Sequence, residues 1–156
     1  MHRARRARPN FELTTANGPV VAEICHRLDG IPLAIELAAA RVKMIPPEAL
    51  LARVAGKSLS LDGGARDRPA RQQTLRATID WGYELLTPAE QRLFRRLGVF
   101  IRGWTLEGAE AVCDADLDQL TGLVDKSLVV TQSRRGAVRY HLLETIRQYA
   151  LERLTA

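Results

Sequence analysis

Few residues in this chain combine the type and the spacing that catalysis needs. Gly56-Lys57-Ser58 has the ending of a phosphate-binding loop. Such a loop also needs a glycine five positions before its Gly-Lys pair, where this chain has Leu51. It further needs a buried strand before it and a helix after it, so that backbone amides converge on phosphate. Here a helical pattern precedes and a Ser/Gly-rich stretch follows, so phosphoryl transfer is not expected. The histidines His2, His26 and His141 have no nucleophile beside them in a recognisable local pattern. Cys25 and His26 are helix neighbours that point to different faces. Cys25 and Cys113 lie 88 positions apart with no CxxC pair, which predicts neither a disulfide framework nor a zinc site and suits a reducing cytoplasm. Acidic residues are scattered in ion-pair positions. The sequence therefore predicts no catalytic residue, no metal site and no enzyme.

Two groups keep a functional alternative. His141 falls where a predicted strand passes into the last helix, close to a helix N-terminus. It reads either as a lightly packed histidine or as a donor to an anion at the domain junction. Arg134, Arg135 and Arg139 lie on the predicted hairpin as a modest basic patch, either solvated or in contact with nucleic acid. The helix before that hairpin carries Asp114, Asp116, Asp118 and Asp125 in or beside it, against a single Lys126. Phosphate would repel that face, so DNA binding by this segment is not expected. The net charge of +5 comes entirely from residues 1–71, with 12 Lys/Arg against 7 Asp/Glu; residues 72–156 balance at 11 and 11. Four of those cations, Arg3, Arg5, Arg6 and Arg8, open the chain. No apolar run is long enough to span a membrane, and no signal core follows the basic start, so a cytoplasmic protein is expected.

The elements that must position these groups are mostly helices. The pattern predicts helices over about 18–29 (Asn17 as N-cap), 32–44 and 47–55, then a Gly/Ser/Asp/Arg-rich loop over 56–71. Gly30 stops one helix and Pro32 starts the next, which runs through Leu33-Ala34-Ile35-Glu36-Leu37-Ala38-Ala39 as a largely buried helix. Helices follow at about 72–86, 88–97, 105–113 and 116–126. Thr87-Pro88-Ala89-Glu90 is a capping box. Val99-Phe100-Ile101 reads as a short strand, and 127–132 and 137–142 as a hairpin around Ser133-Arg134-Arg135-Gly136. A last helix covers 143–154. The predicted fold is mainly α: a small helical bundle (1–58), a linker (59–71) and a winged-helix domain with one β-hairpin (72–156).

Three separated stretches carry a family resemblance. Ile24 to Arg41, with Gly30-Ile31-Pro32-Leu33-Ala34 at its centre, resembles the GLPLA stretch of NB-ARC (STAND) nucleotide-switch ATPases. The bacterial branch found in LuxR-type and related actinobacterial transcriptional regulators is the nearest. Arg71 to Leu86 resembles the start of the winged-helix domain in those proteins. Tyr140-His141-Leu142-Leu143-Glu144-Thr145-Ile146-Arg147-Gln148-Tyr149-Ala150 is similar to its end. There the family has Met-His-Asp; His141 matches the histidine, Tyr140 stands for Met and Leu142 replaces Asp. The resemblance implies that Gly30, Ile31, Pro32 and Leu33 line an adenine–ribose group and that His141 reaches a phosphate of ADP. It also implies a P-loop domain upstream, which this sequence lacks. The expectation is thus the non-catalytic lid of an ATP/ADP-dependent switch in a larger transcriptional regulator, with ADP or ATP held only alongside a P-loop domain. The alternatives are a DNA-binding winged-helix transcription factor and a protein-interaction module that docks on a full-length relative.

Overall fold

The computed structural model describes residues 9–58 and 70–156. Arg3, Arg5, Arg6 and Arg8 and most of the expected linker lie outside them. Among the described residues the chain forms eight α-helices and one two-stranded antiparallel sheet. They fall into two compact units, one ending at Trp81 and one beginning at Gly82.

The first unit holds α1 (Gly18–Arg27), α2 (Pro32–Ala39), a 3-10 turn (Ala40–Lys43), α3 (Pro47–Ser58) and most of α4 (Ala70–Glu84). Proline opens α2 and α3, where its missing N–H leaves no bond unmade. Between α1 and α2 the chain reverses through two left-handed residues, Asp29 (φ 53°) and Gly30 (φ 64°). The Gly30 amide reaches back to the Cys25 carbonyl at 3.0 Å, and the Ile31 amide to that of Leu28 at 3.0 Å, which satisfies the end of α1. Ala34, Leu37 and Ala38 recur at helical spacing and are buried, as are Ile24, Leu28, Ile31, Leu50 and Val54. Phe11 and Val42 form a second cluster with Val21 and Ala39.

The second unit is built on α5 (Pro88–Leu97), against which α6 (Leu106–Cys113), α7 (Leu117–Asp125) and α8 (Glu144–Thr155) pack. Phe94 and Leu97 of α5 are fully buried with Leu120, Leu123, Leu128 and Ile146. Tyr83, Phe94 and Tyr149 form an aromatic triad with ring centroids 5.7–6.2 Å apart. The strands β1 (Val130–Arg134) and β2 (Ala137–His141) pair antiparallel in the register Val130–His141 to Arg134–Ala137. A third, one-residue strand joins at Trp104, whose amide donates to the Tyr140 carbonyl at 2.8 Å while the Tyr140 amide donates to Trp104 at 2.9 Å. Three helices, a hairpin and a closing helix in this order make a winged helix, with α7 in the recognition-helix position and β1–β2 as the wing.

Several element bounds differ from the sequence expectation for local reasons. The predicted strand at 99–101 does not form, because the amides of Val99 and Phe100 are spent on carbonyls of Arg96 and Leu97 in tight turns that finish α5. The wing begins at Val130 rather than 127, because Ser127 is left-handed (φ 60°) and the Leu128 and Val129 amides bond back to Leu123. The second helix stops at Ala39, and its expected last turn tightens to 3-10 geometry before Pro46-Pro47. The third helix runs on to Ser58, and the fourth spans 70–84 rather than 72–86. Asn17 stands at the N-cap of α1 without capping it; its side chain instead accepts from the Thr14 amide and donates to the Glu12 carbonyl.

Candidate functional site

In the first unit the residues Gly30, Ile31, Pro32 and Leu33 make the turn into α2. Ile31 is buried, Leu33 is half-buried, and Gly30 and Pro32 are exposed. An open cleft of about 650 Å³ lies beside this turn, lined by Cys25, His26, Asp29, Gly30 and Arg71. Thr74 on α4 donates its hydroxyl to the Asp29 carboxylate at 2.6 Å, which holds the left-handed corner in place. Gly56, Lys57 and Ser58 fall in the last turn of α3, so their backbone is helical rather than a phosphate-cradling loop. Among the described residues no cluster of His, Cys, Asp and Glu could hold a metal ion.

In the second unit His141 is the last residue of β2, half-buried and paired with Val130. Directly paired residues of an antiparallel ladder share a face, and so do residues two apart. The observed register therefore gathers Gln132, Arg134, Arg139 and His141 on one face of the wing. Arg135 sits at the tip. Arg134, Arg135 and Arg139 are all exposed and meet no carboxylate among the described residues. Residues 126–143 contain no Asp or Glu at all. The opposite face carries Tyr140, stacked on Trp104, which is itself stacked on Phe100.

The recognition helix has the opposite charge. Asp114, Asp116, Asp118 and Asp125 are exposed in or beside α7. Lys126, its only cation, is turned inward: Nζ lies 2.7 and 2.6 Å from the two carboxylate oxygens of Glu90 on α5. Glu90 is buried and also closes the capping box, accepting from the Thr87 amide at 2.9 Å. Burial pushes its carboxyl up, but the hydrogen bonds and charge of Lys126, with the Thr87 bonds, hold it below its ordinary value. The capping box is legible in the sequence; the ion pair is not, because its partners are 36 positions apart. Sequence reasoning also misses Gly103. It is left-handed (φ 98°), and a Cβ placed there would lie 2.5 Å from the Tyr140 carbonyl oxygen. The glycine lets the Trp104 strand approach the wing.

Residues 86–155 match a family described as a winged helix-turn-helix domain. The winged helix of α5 to α8 is thus recognisable both in its geometry and in its sequence. The chain is 52% identical to Rv0890c of Mycobacterium tuberculosis, provisionally named an HTH-type transcriptional regulator, over 97% of its own length and 18% of that protein's. It is 43% identical to Rv0894 of the same organism, an uncharacterised protein, over 98% of this chain and 41% of that one. It is also 34% identical over 77% of its length to the regulatory protein AfsR of Streptomyces coelicolor, covering 12% of AfsR. The chain therefore spans less than half the length of each of these relatives. No solved structure matches it. Among the described residues no helix is long and apolar enough to cross a membrane.

Proposed function

We propose that this chain is the winged-helix segment of a larger transcriptional regulator and that it contacts nucleic acid through its wing rather than through α7. The winged-helix match and the similarity to an HTH-type regulator support the general role. The observation that carries the specific reading is the division of charge within one small unit. The recognition helix presents carboxylates and has its one lysine engaged with Glu90. The wing presents three arginines that meet no carboxylate among the described residues, on an acid-free stretch. Phosphate neutralisation dominates nucleic-acid affinity, so the wing is attracted where α7 is repelled. This revises the expectation drawn from the acidic helix alone, that the segment would leave DNA untouched.

The test is a fluorescence-anisotropy titration of the whole chain against a short labelled duplex at several salt concentrations. Three phosphate contacts predict a log–log salt slope of about −2 to −3. Arg134→Gln with Arg139→Gln should flatten that slope and weaken binding. Asp118→Asn with Asp125→Asn should tighten binding by removing repulsion. A chain that fails to bind duplex at low salt, or one that binds more weakly when the aspartates are neutralised, defeats the reading.

A second reading rests on the turn in the first unit. Pro32 is exposed there, and an open cleft lies beside Gly30. Together with the GLPLA resemblance this supports a role as part of the lid of an adenine-nucleotide switch, with Gly30, Ile31, Pro32 and Leu33 toward the base and the P-loop domain supplied by a larger regulator. In a larger regulator that carries both this segment and the P-loop domain, millimolar ADP should then raise the melting temperature, and Pro32→Ala should abolish the rise. An unchanged melting temperature would count against it.

A further inference from the structure

We infer that two copies of this chain pair reciprocally, the wing of each lying on the acidic α7 face of the other. This goes beyond the nucleic-acid reading above and does not rest on it.

Three observations lead there. The first is how sharply charge divides along one stretch of chain. Residues 103–125 hold six carboxylates, those of Glu107, Glu110, Asp114, Asp116, Asp118 and Asp125, and no Lys, Arg or His. Residues 126–143 hold Lys126, Arg134, Arg135 and Arg139 and no Asp or Glu. Lys126 is taken up by Glu90. The other charges of both signs are exposed. Among the described residues no ion pair joins the wing's arginines to the aspartates of α7 within one copy. A basic ribbon and an acidic helix on one small unit are complements that a second copy can bring together.

The second observation is spacing. Asp118 and Asp125 are seven residues apart, so they share one face of α7, with exposed Thr121 between them. At the helical rise their backbones are about 10 Å apart. On the wing Arg139 pairs with Gln132, two residues from Arg134. The two arginines are therefore diagonal neighbours on one face, about 7–8 Å apart. The reach of an arginine side chain covers the difference, so each guanidinium can meet one aspartate.

The third is that local structure does not account for all of these carboxylates. Asp116 has a local use: as the N-cap of α7 it accepts from the Asp118 amide at 2.7 Å. Asp125 instead ends α7, and Asp114 stands at the C-cap of α6. There a negative charge faces the negative end of the helix dipole, so both are locally unfavourable. Near them in the chain Val112 and Leu117 are 63% and 51% exposed. A partner on this face buries apolar surface as well as charge.

A twofold axis closes the arrangement. Each wing answers the other copy's α7, the contact is made twice, and no third copy is recruited. Single exposed ion pairs are weak and screened by salt, so the product is a weak dimer that low salt favours.

The experiment is sedimentation of the whole chain at several protein concentrations, in low and in high salt. The native chain should form a dimer in low salt, and its dissociation constant should rise by about tenfold or more on going to about 0.5 M salt. Asp118→Arg with Asp125→Arg makes both contact faces basic. Arg134→Glu with Arg139→Glu makes both acidic. Circular dichroism of each variant checks its fold. Each alone should sediment as a monomer, because like charges then meet. An equimolar mixture of the two should recover the dimer, since every altered face then finds its opposite. A native chain that stays monomeric in low salt, a dimer indifferent to salt, or a mixture of folded variants no more associated than its components would each overturn the inference. So would a wing variant that stays dimeric while the α7 variant does not. That result would give the acidic face to another cation of the chain, such as Arg3, Arg5, Arg6 or Arg8. No nucleic acid is present in these measurements, so their failure leaves the wing-contact reading standing, and failure of that reading leaves this one standing.

Discussion

Lys126 and Glu90 form a two-pronged ion pair, with Nζ 2.7 and 2.6 Å from the carboxylate oxygens and side chains only 18% and 9% exposed. The pair ties the end of α7 to the first turn of α5. It also decides the surface of α7, because the one cation available to it faces the interior. Removing one partner leaves the other charge buried and uncompensated. Lys126→Met should therefore cost about 3 kcal/mol. Denaturant melts of Lys126→Met, Glu90→Gln and the double variant should give a coupling of about 2 kcal/mol, the double variant losing that much less than the sum of the two single losses. Additive losses would show that the pair does not act as a unit.

Gly122 on α7 exists for the same contact. A Cβ built there would overlap the Glu90 carboxylate. Glycine to alanine inside a helix ordinarily stabilises by about 1 kcal/mol. Here the sign should reverse, because the new methyl displaces Glu90 from both Lys126 and the Thr87 amide. A loss of about 1–2 kcal/mol on Gly122→Ala is expected, and it should shrink in a Glu90→Ala background. A stabilised Gly122→Ala would show that Glu90 can move at no cost.

The ion pair also sets an acid limit. Glu90 is held below its ordinary value of 4.5 in the folded chain. A carboxylate depressed on folding contributes stability that is complete above its unfolded value and is lost as pH falls through the folded one. The native chain should therefore lose stability more steeply than Glu90→Gln as the pH falls below 4.5. Urea midpoints measured across that range would check this. Parallel curves for the two proteins would remove Glu90 from the acid transition.

What the sequence conveys about this molecule divides by range. The capping box at Thr87 to Glu90, the prolines at 32, 47 and 88, and the glycine corner at Gly30 act within a few residues, and each forms where the spacing predicts. The second role of Glu90 depends on a lysine that only the packing of α7 brings near, so no local pattern announces it. The wing shows the same limit. Its arginines and His141 are visible as residue types, but their common face depends on a register fixed by the two-residue turn at Arg135-Gly136. A shift of one residue would have divided them between two faces. Asn17 marks the boundary from the other side: its type and position fit a cap, and competing partners at Thr14 and Glu12 claim its side chain.

Gly103 provides the clearest structural test of the wing's base. Its φ of 98° is one that side chains rarely adopt, and its Cβ position is 2.5 Å from the Tyr140 carbonyl oxygen and 3.3 Å from the His141 Cβ. The nearest obstacle is backbone, which cannot rotate away. Gly103→Ala must either push β2 aside or break the mutual hydrogen bonds of Trp104 and Tyr140. A destabilisation of about 3 kcal/mol is expected, close to the upper part of the usual single-substitution range. Amide hydrogen exchange should locate the loss: protection at Trp104 and Tyr140 should fall first, while the α5 amides keep theirs up to global unfolding. Unchanged exchange at Tyr140 would show that the Trp104 strand does not need a glycine to reach the wing.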